Sequence, residues 1–130
     1  MIVLAEALDR TLGSPLVESL TYALAPEGFS WRGFAIMLIV AGVIAPFGEE
    51  ILFRGLLYPW LRNRWGPIVG MIASAVLFGA VHVDPYWAAQ AGVFGLFFAF
   101  LVEKSGSIWP AYLGHVLINM TGVAMLYGTL

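Results

Sequence analysis

The chain has 130 residues and a net charge of −2, with 61% hydrophobic and 11% charged residues and a mean hydropathy of +0.89. Six basic and eight acidic side chains cannot give a domain of this length a polar surface, so part of its solvent is expected to be lipid. The absence of a basic stripe argues against nucleic acid as a partner, and the absence of cysteine excludes disulfides, thiolate metal ligands and a cysteine nucleophile.

Residues 1–30 read as an amphipathic segment. Leu4, Leu8 and Leu12 recur at helical spacing beside Glu6, Asp9 and Arg10, and Ser14 before Pro15 suits an N-cap and first helical turn. Such a segment lies in the membrane interface, or is what is left of a longer N-terminal region. Its start, MIVLAEALDR, lacks the basic n-region of a secretory signal, so no cleaved signal is expected.

Residues 31–130 form the predicted membrane core, an all-α bundle. Four apolar stretches, 33–47, 66–81, 86–102 and 107–127, are each near the roughly 17 to 25 residues a helix needs to cross a bilayer. The first continues through GEEILFRGLLYPWL to Arg62, with Pro59 its one interruption. RNRWGP, VDP and EKSGS supply the turns between antiparallel helices. Arg62, Arg64 and Lys104 then share one side, expected to be cytoplasmic, and Arg32 and Asp84 the other.

Ionisable residues inside a membrane are costly, and their default reading is functional when partners exist. The candidates are Glu49, Glu50 and Arg54 on the first helix, His82 ending the second, and His115 with Asn119 on the fourth. At about 1.5 Å per residue, the glutamates lie roughly 18 to 20 Å back from Arg62 and His82 roughly 24 Å forward from Gly66. His115 and Asn119 lie roughly 12 and 18 Å in from Ser107. One layer can hold them all.

Gly66, Gly70, Ser74, Phe78 and His82 form a stripe that points His82 into the bundle. Ala88, Gly92, Gly95 and Ala99 make a similar seam on the third helix, which carries no obvious chemistry. His115 and Asn119 are one turn apart and able to aim at one atom. Pro46 frees the carbonyl four residues back, at Gly42, which then needs a polar partner. Glu50 and Arg54 are placed to pair, leaving Glu49 free to act.

These groups suit an amide hydrolase without a nucleophilic side chain: Glu49 and His82 deprotonate a water while His115 and Asn119 stabilise an oxyanion. Glu49, His82 and His115 could instead hold zinc, although the HExxH spacing is absent.

GluGlu-x-x-x-Arg at Glu49, Glu50 and Arg54, Phe-x-x-x-His at Phe78 and His82, and His-x-x-x-Asn at His115 and Asn119 occur in that order on separate apolar stretches. GSIWPAYLGHVLIN leads into the last. Together they resemble the signature motifs of the CAAX-protease and bacteriocin-processing family of intramembrane proteases, from about residue 31 to the C-terminus. The resemblance implies a multi-pass endopeptidase of a bacterial or archaeal membrane. Glu49 and His82 would activate water, His115 and Asn119 would form the oxyanion site, and Glu50, Arg54 and Phe78 would support them. Its partners would be membrane lipid and a peptide or prenylated protein: a CaaX tail, or a bacteriocin or leader peptide. Family members are often called metalloproteases, but the activated-water scheme needs no cofactor. They usually carry further membrane helices before the first motif, where this chain has only the amphipathic segment.

Each residue also has a plainer reading. Glu50 with Arg54 can be an ion pair that pins packing, His82 an interfacial histidine bonded to backbone, Asn119 interhelical glue and Phe78 core. Trp31, Trp65, Trp87 and Trp109 fit an interfacial belt. For the whole protein the alternatives are a non-catalytic immunity or scaffold protein and, less favoured, a proton or ion relay.

Overall fold

The computed structural model describes residues 29–82 and 85–128, so residues 1–28 of the expected amphipathic segment, and Asp84, lie outside them. Among the described residues all regular structure is helical. Helix α1 (Trp31–Ile39) runs through a π-helical segment (Val40–Ile44) into α2 (Ala45–Glu50). A second π segment (Ile51–Leu57) leads into α3 (Tyr58–Ala80), which is followed by α4 (Pro85–Ser105) and α5 (Trp109–Tyr127).

The first rod starts where Ser30, in an extended conformation, accepts a hydrogen bond from Gly33 N–H on its hydroxyl. Both π segments lie just ahead of a proline, Pro46 in α2 and Pro59 in α3. A proline ring collides with the carbonyl four residues back, and the wider π turn moves that carbonyl away. Ala45 N–H accordingly bonds Val40 O and Tyr58 N–H bonds Phe53 O, each five residues back. The helix therefore passes both prolines, continuing through Arg62 as expected.

It breaks at Gly66, where φ is 80° and ψ 171°, a conformation open essentially to glycine alone, followed by Pro67. Beyond it the chain folds back on itself: a Cβ on Gly70 would lie 2.8 Å from Arg62 N. Residues 67–80 then pack on α4 with almost no spacing, since a Cβ on Gly79 would lie 2.5 Å from Ala88 O and 3.3 Å from Gly92 Cα. The small-residue stripe is thus in use, with a correction. Gly70, Ser74 and Phe78 are buried, but Gly66 is the corner, and the closest approach to α4 falls one residue further along, at Ala75 and Gly79.

Helix α5 returns along the first rod, joining Val123 and Tyr127 to Met37 in one cluster. Phe53, Phe78 and Ala91 form the other. At one end Glu103 accepts both Arg62 Nε at 2.7 Å and Arg62 Nη2 at 3.0 Å, and also the Tyr58 hydroxyl. That clamp puts the ends of the first rod and of α4 together, as the turn assignment required.

Among the described residues an ion pair occupies the interior while large aliphatic side chains face outward. Glu50 is 0% and Arg54 1% exposed, whereas Ile68, Val93 and Leu117 are 68%, 70% and 67% exposed. Among the described residues two helical stretches, Trp31–Ala80 and Pro85–Ser105, are long and apolar enough to cross a membrane.

Candidate active site

Four elements and the second π segment meet around one buried carboxylate. Glu49 and Glu50 end α2, Arg54 follows in the second π segment, Phe78 comes from α3, Phe98 from α4 and His115 from α5. A fully enclosed carboxylate needs compensation. Glu50 Oε1 receives it from Arg54 Nη1 at 3.0 Å and from His115 Nδ1 at 2.8 Å. The expected Glu50–Arg54 pair therefore forms, and Glu50 has a second duty that the sequence did not reveal.

Arg54 is held through both Nη atoms and between aromatic rings, while its buried Nε has no hydrogen-bond partner among the described residues. Its Nη2 donates to Gly95 O at 3.1 Å, and its guanidinium carbon lies 4.3 Å from the Phe78 ring centre and 5.4 Å from that of Phe98. A side chain on Gly95 would meet both Phe78 and Arg54, the latter at 3.3 Å. Helix α4, expected to carry no obvious chemistry, thus supplies an acceptor and a ring. Gly95 was visible in the small-residue seam, but a backbone carbonyl has no sequence signature, and Phe98 looks like any other apolar residue of its helix.

Because a carboxylate only accepts, His115 carries a proton on Nδ1 and turns Nε2 outward. Phe98 stacks on that ring with centroids 5.1 Å apart and planes at 25°, and Phe78 meets it edge-on at 5.8 Å. Nε2 then lies 3.7 Å from Glu49 Oε2. This is too long for a direct hydrogen bond and close enough for one water to touch both atoms. The Glu49 side chain is 35% exposed, so the pair sits where the buried layer opens.

The remaining two motif residues are each bonded to backbone. His82 Nδ1 lies 2.7 Å from Phe78 O, so that nitrogen carries the proton and Nε2 keeps its lone pair. Phe78 touches both imidazoles, its ring centre lying 5.0 Å from that of His82. Among the described residues His82 has no ion pair or hydrogen bond with either glutamate. Asn119 Nδ2 donates to Ala41 O at 2.9 Å. The structure thus gathers Glu49, Glu50, Arg54, Phe78 and His115, with His82 joined through Phe78 and Asn119 one turn beyond His115.

Pro46 was expected to leave Gly42 O in need of a partner, but the carbonyl that receives one is one residue earlier, at Ala41, because the segment is π-helical. As for zinc, no three His, Asp or Glu side chains among the described residues stand close enough together to hold a metal ion. Glu49 and His115 supply two donors, and His82 does not join them as placed.

Comparison with known proteins agrees with the motifs. A family model described as type II CAAX prenyl endopeptidase Rce1-like matches residues 30–121. The chain is 31% identical over 90 residues to the Bacillus subtilis protein named as membrane peptidase YdiL, an alignment covering 69% of this chain and 37% of that protein. It is 26% identical over 107 residues to the Schizosaccharomyces pombe protein named as CAAX prenyl protease 2, covering 66% of this chain and 40% of that protein. The chain spans less than half the length of these curated relatives. No solved structure matches it. On the strength of the match over residues 30–121, the chain belongs to the Rce1-like family of type II CAAX prenyl endopeptidases.

Proposed function

We propose that the chain is the core of a multi-pass intramembrane endopeptidase that hydrolyses a peptide bond of a membrane-associated substrate, a CaaX-type prenylated tail before a bacteriocin or leader peptide. In this reading the first rod, residues 67–80, α4 and α5 are four crossings. The observation that carries the proposal is His115, gripped by buried Glu50 at 2.8 Å and facing Glu49 at 3.7 Å within an apolar bundle.

In this scheme Glu49 takes a proton from a water bound at the opening, and His82 Nε2 accepts that water's other hydrogen. The hydroxide oxygen adds to the substrate carbonyl carbon, and the carbonyl oxygen becomes an oxyanion. His115 Nε2 donates to it. With Nδ1–H committed to Glu50, such donation requires the imidazolium. Glu49 then returns its proton to the leaving amine as the C–N bond breaks. The resemblance makes Asn119 a second oxyanion donor; its Nδ2 gives one N–H to Ala41 O, and the other N–H of that amide is the one this role would use.

The test is cleavage of a farnesylated CaaX peptide, and of an unprenylated leader peptide, by the purified chain in lipid nanodiscs. His115→Ala should lower kcat by about 10²- to 10³-fold, and Glu49→Gln by about 10²- to 10⁴-fold. Full activity in both variants would refute hydrolysis at this site, and bacteriocin immunity preserved in cells carrying both substitutions would favour the scaffold alternative. Activity lost to a chelator and restored by zinc would overturn the metal-free scheme.

A further inference from the structure

The Ala41 carbonyl loses its helical partner twice. In an α-helix it would accept Ala45 N–H, but the π turn gives that N–H to Val40 O. In a continued π turn it would accept the N–H of the residue five on, which is Pro46 and has none. In lipid a carbonyl without a donor is costly, because no water can take the donor's place. The donor that arrives is Asn119 Nδ2, at 2.9 Å. Helix α5 comes close enough to deliver it because residue 42 is glycine: a Cβ there would lie 3.0 Å from Met120 Cγ.

The phase of α2 depends on this substitution of side chain for backbone. Were the segment to relax to an α-helix, Ala45 N–H would return to Ala41 O, and everything beyond would rotate by about 100° and shift by about 1.5 Å, one residue's worth of helix. Glu49 and Glu50 lie one turn beyond, and such a rotation would take Glu50 away from Arg54 and His115.

We propose that Asn119 is a positioning residue: its amide replaces the N–H that Pro46 lacks, holds residues 40–44 in the π register, and thereby aims Glu49 and Glu50. The activity part of its test rests on the endopeptidase reading, but the bond itself is read independently. The sequence contains two Ala-Gly pairs, Ala41-Gly42 and Ala91-Gly92. Labelling alanine carbonyl carbon and glycine nitrogen therefore gives two correlated NMR signals, the second an internal control for folding.

Asn119→Leu should move the Ala41 carbonyl signal upfield, leave that of Ala91 in place, and cut cleavage at least tenfold. Adding Pro46→Ala restores an N–H that bonds Ala41 O in the π register, so the signal should return and most of the activity with it. An Ala41 signal unmoved by Asn119→Leu would overturn the proposal, whether or not the chain cleaves peptides. A loss of activity on Asn119→Leu that is equal with and without Pro46→Ala would also overturn it, assigning the Asn119 amide to the oxyanion instead.

Discussion

Glu49 and Glu50 are adjacent in sequence and opposite in circumstance. Glu50 is enclosed, with Arg54 and His115 on the same oxygen, and Glu49 is a third exposed with one long contact. Replacing Glu50 with Gln leaves the Arg54 guanidinium buried without a counter-charge. We predict a loss of about 3–5 kcal/mol, the scale for breaking one side of a buried pair, measured by thermal unfolding in detergent. Glu49→Gln should leave the unfolding midpoint unchanged. Arg54→Lys should resemble the Glu50 variant, because an ammonium cannot bond Glu50 and Gly95 O together while lying flat on Phe78. The pairing of Glu50 with Arg54 was legible because residues four apart share a helix face. The grip of Glu50 on His115 was not, since it spans 65 residues and depends on the rotation of α5. Nor did one-turn spacing guarantee a common target: His115 faces carboxylates and Asn119 a carbonyl.

The helices follow the apolar runs closely, and their breaks follow Gly and Pro, because those residues act locally. What the runs did not disclose is register. Two π segments change the phase of the first rod, and their only trace in the sequence is the prolines that follow them. Small-residue seams were legible as spacing, but the contact is one residue out of step on α3, since sequence gives no rotation about the helix axis. Two substitutions test the packing. Gly66→Ala should destabilise by about 1–3 kcal/mol, the usual range for a side chain forced into a glycine conformation. Gly79→Ala should separate residues 67–80 from α4, because the added carbon meets Ala88 O, a backbone atom that cannot swing aside. Both would be read as lowered denaturation midpoints in detergent.

Among the described residues the interior holds the Glu50–Arg54 pair while large aliphatic side chains lie on the outside, an exposure of apolar surface that composition alone had indicated. A lipid-facing Val93→Lys, near the middle of α4, should weaken membrane insertion by about 2.5–3.5 kcal/mol, measured as the inserted fraction in microsomes. Wild-type insertion would mean that this face meets water. The apolar surroundings also explain how so few polar residues identify a site: in such a bundle each seeks a partner, and here Glu50, Arg54 and His115 find one another while His82 and Asn119 find backbone carbonyls. The claim on which the account depends is that Glu49 is the base. Its most direct measurement is kcat for a farnesylated CaaX peptide in nanodiscs, comparing the wild-type chain with Glu49→Gln at matched unfolding midpoints. The account predicts a fall of at least about 10²-fold with stability intact; equal rates would contradict it.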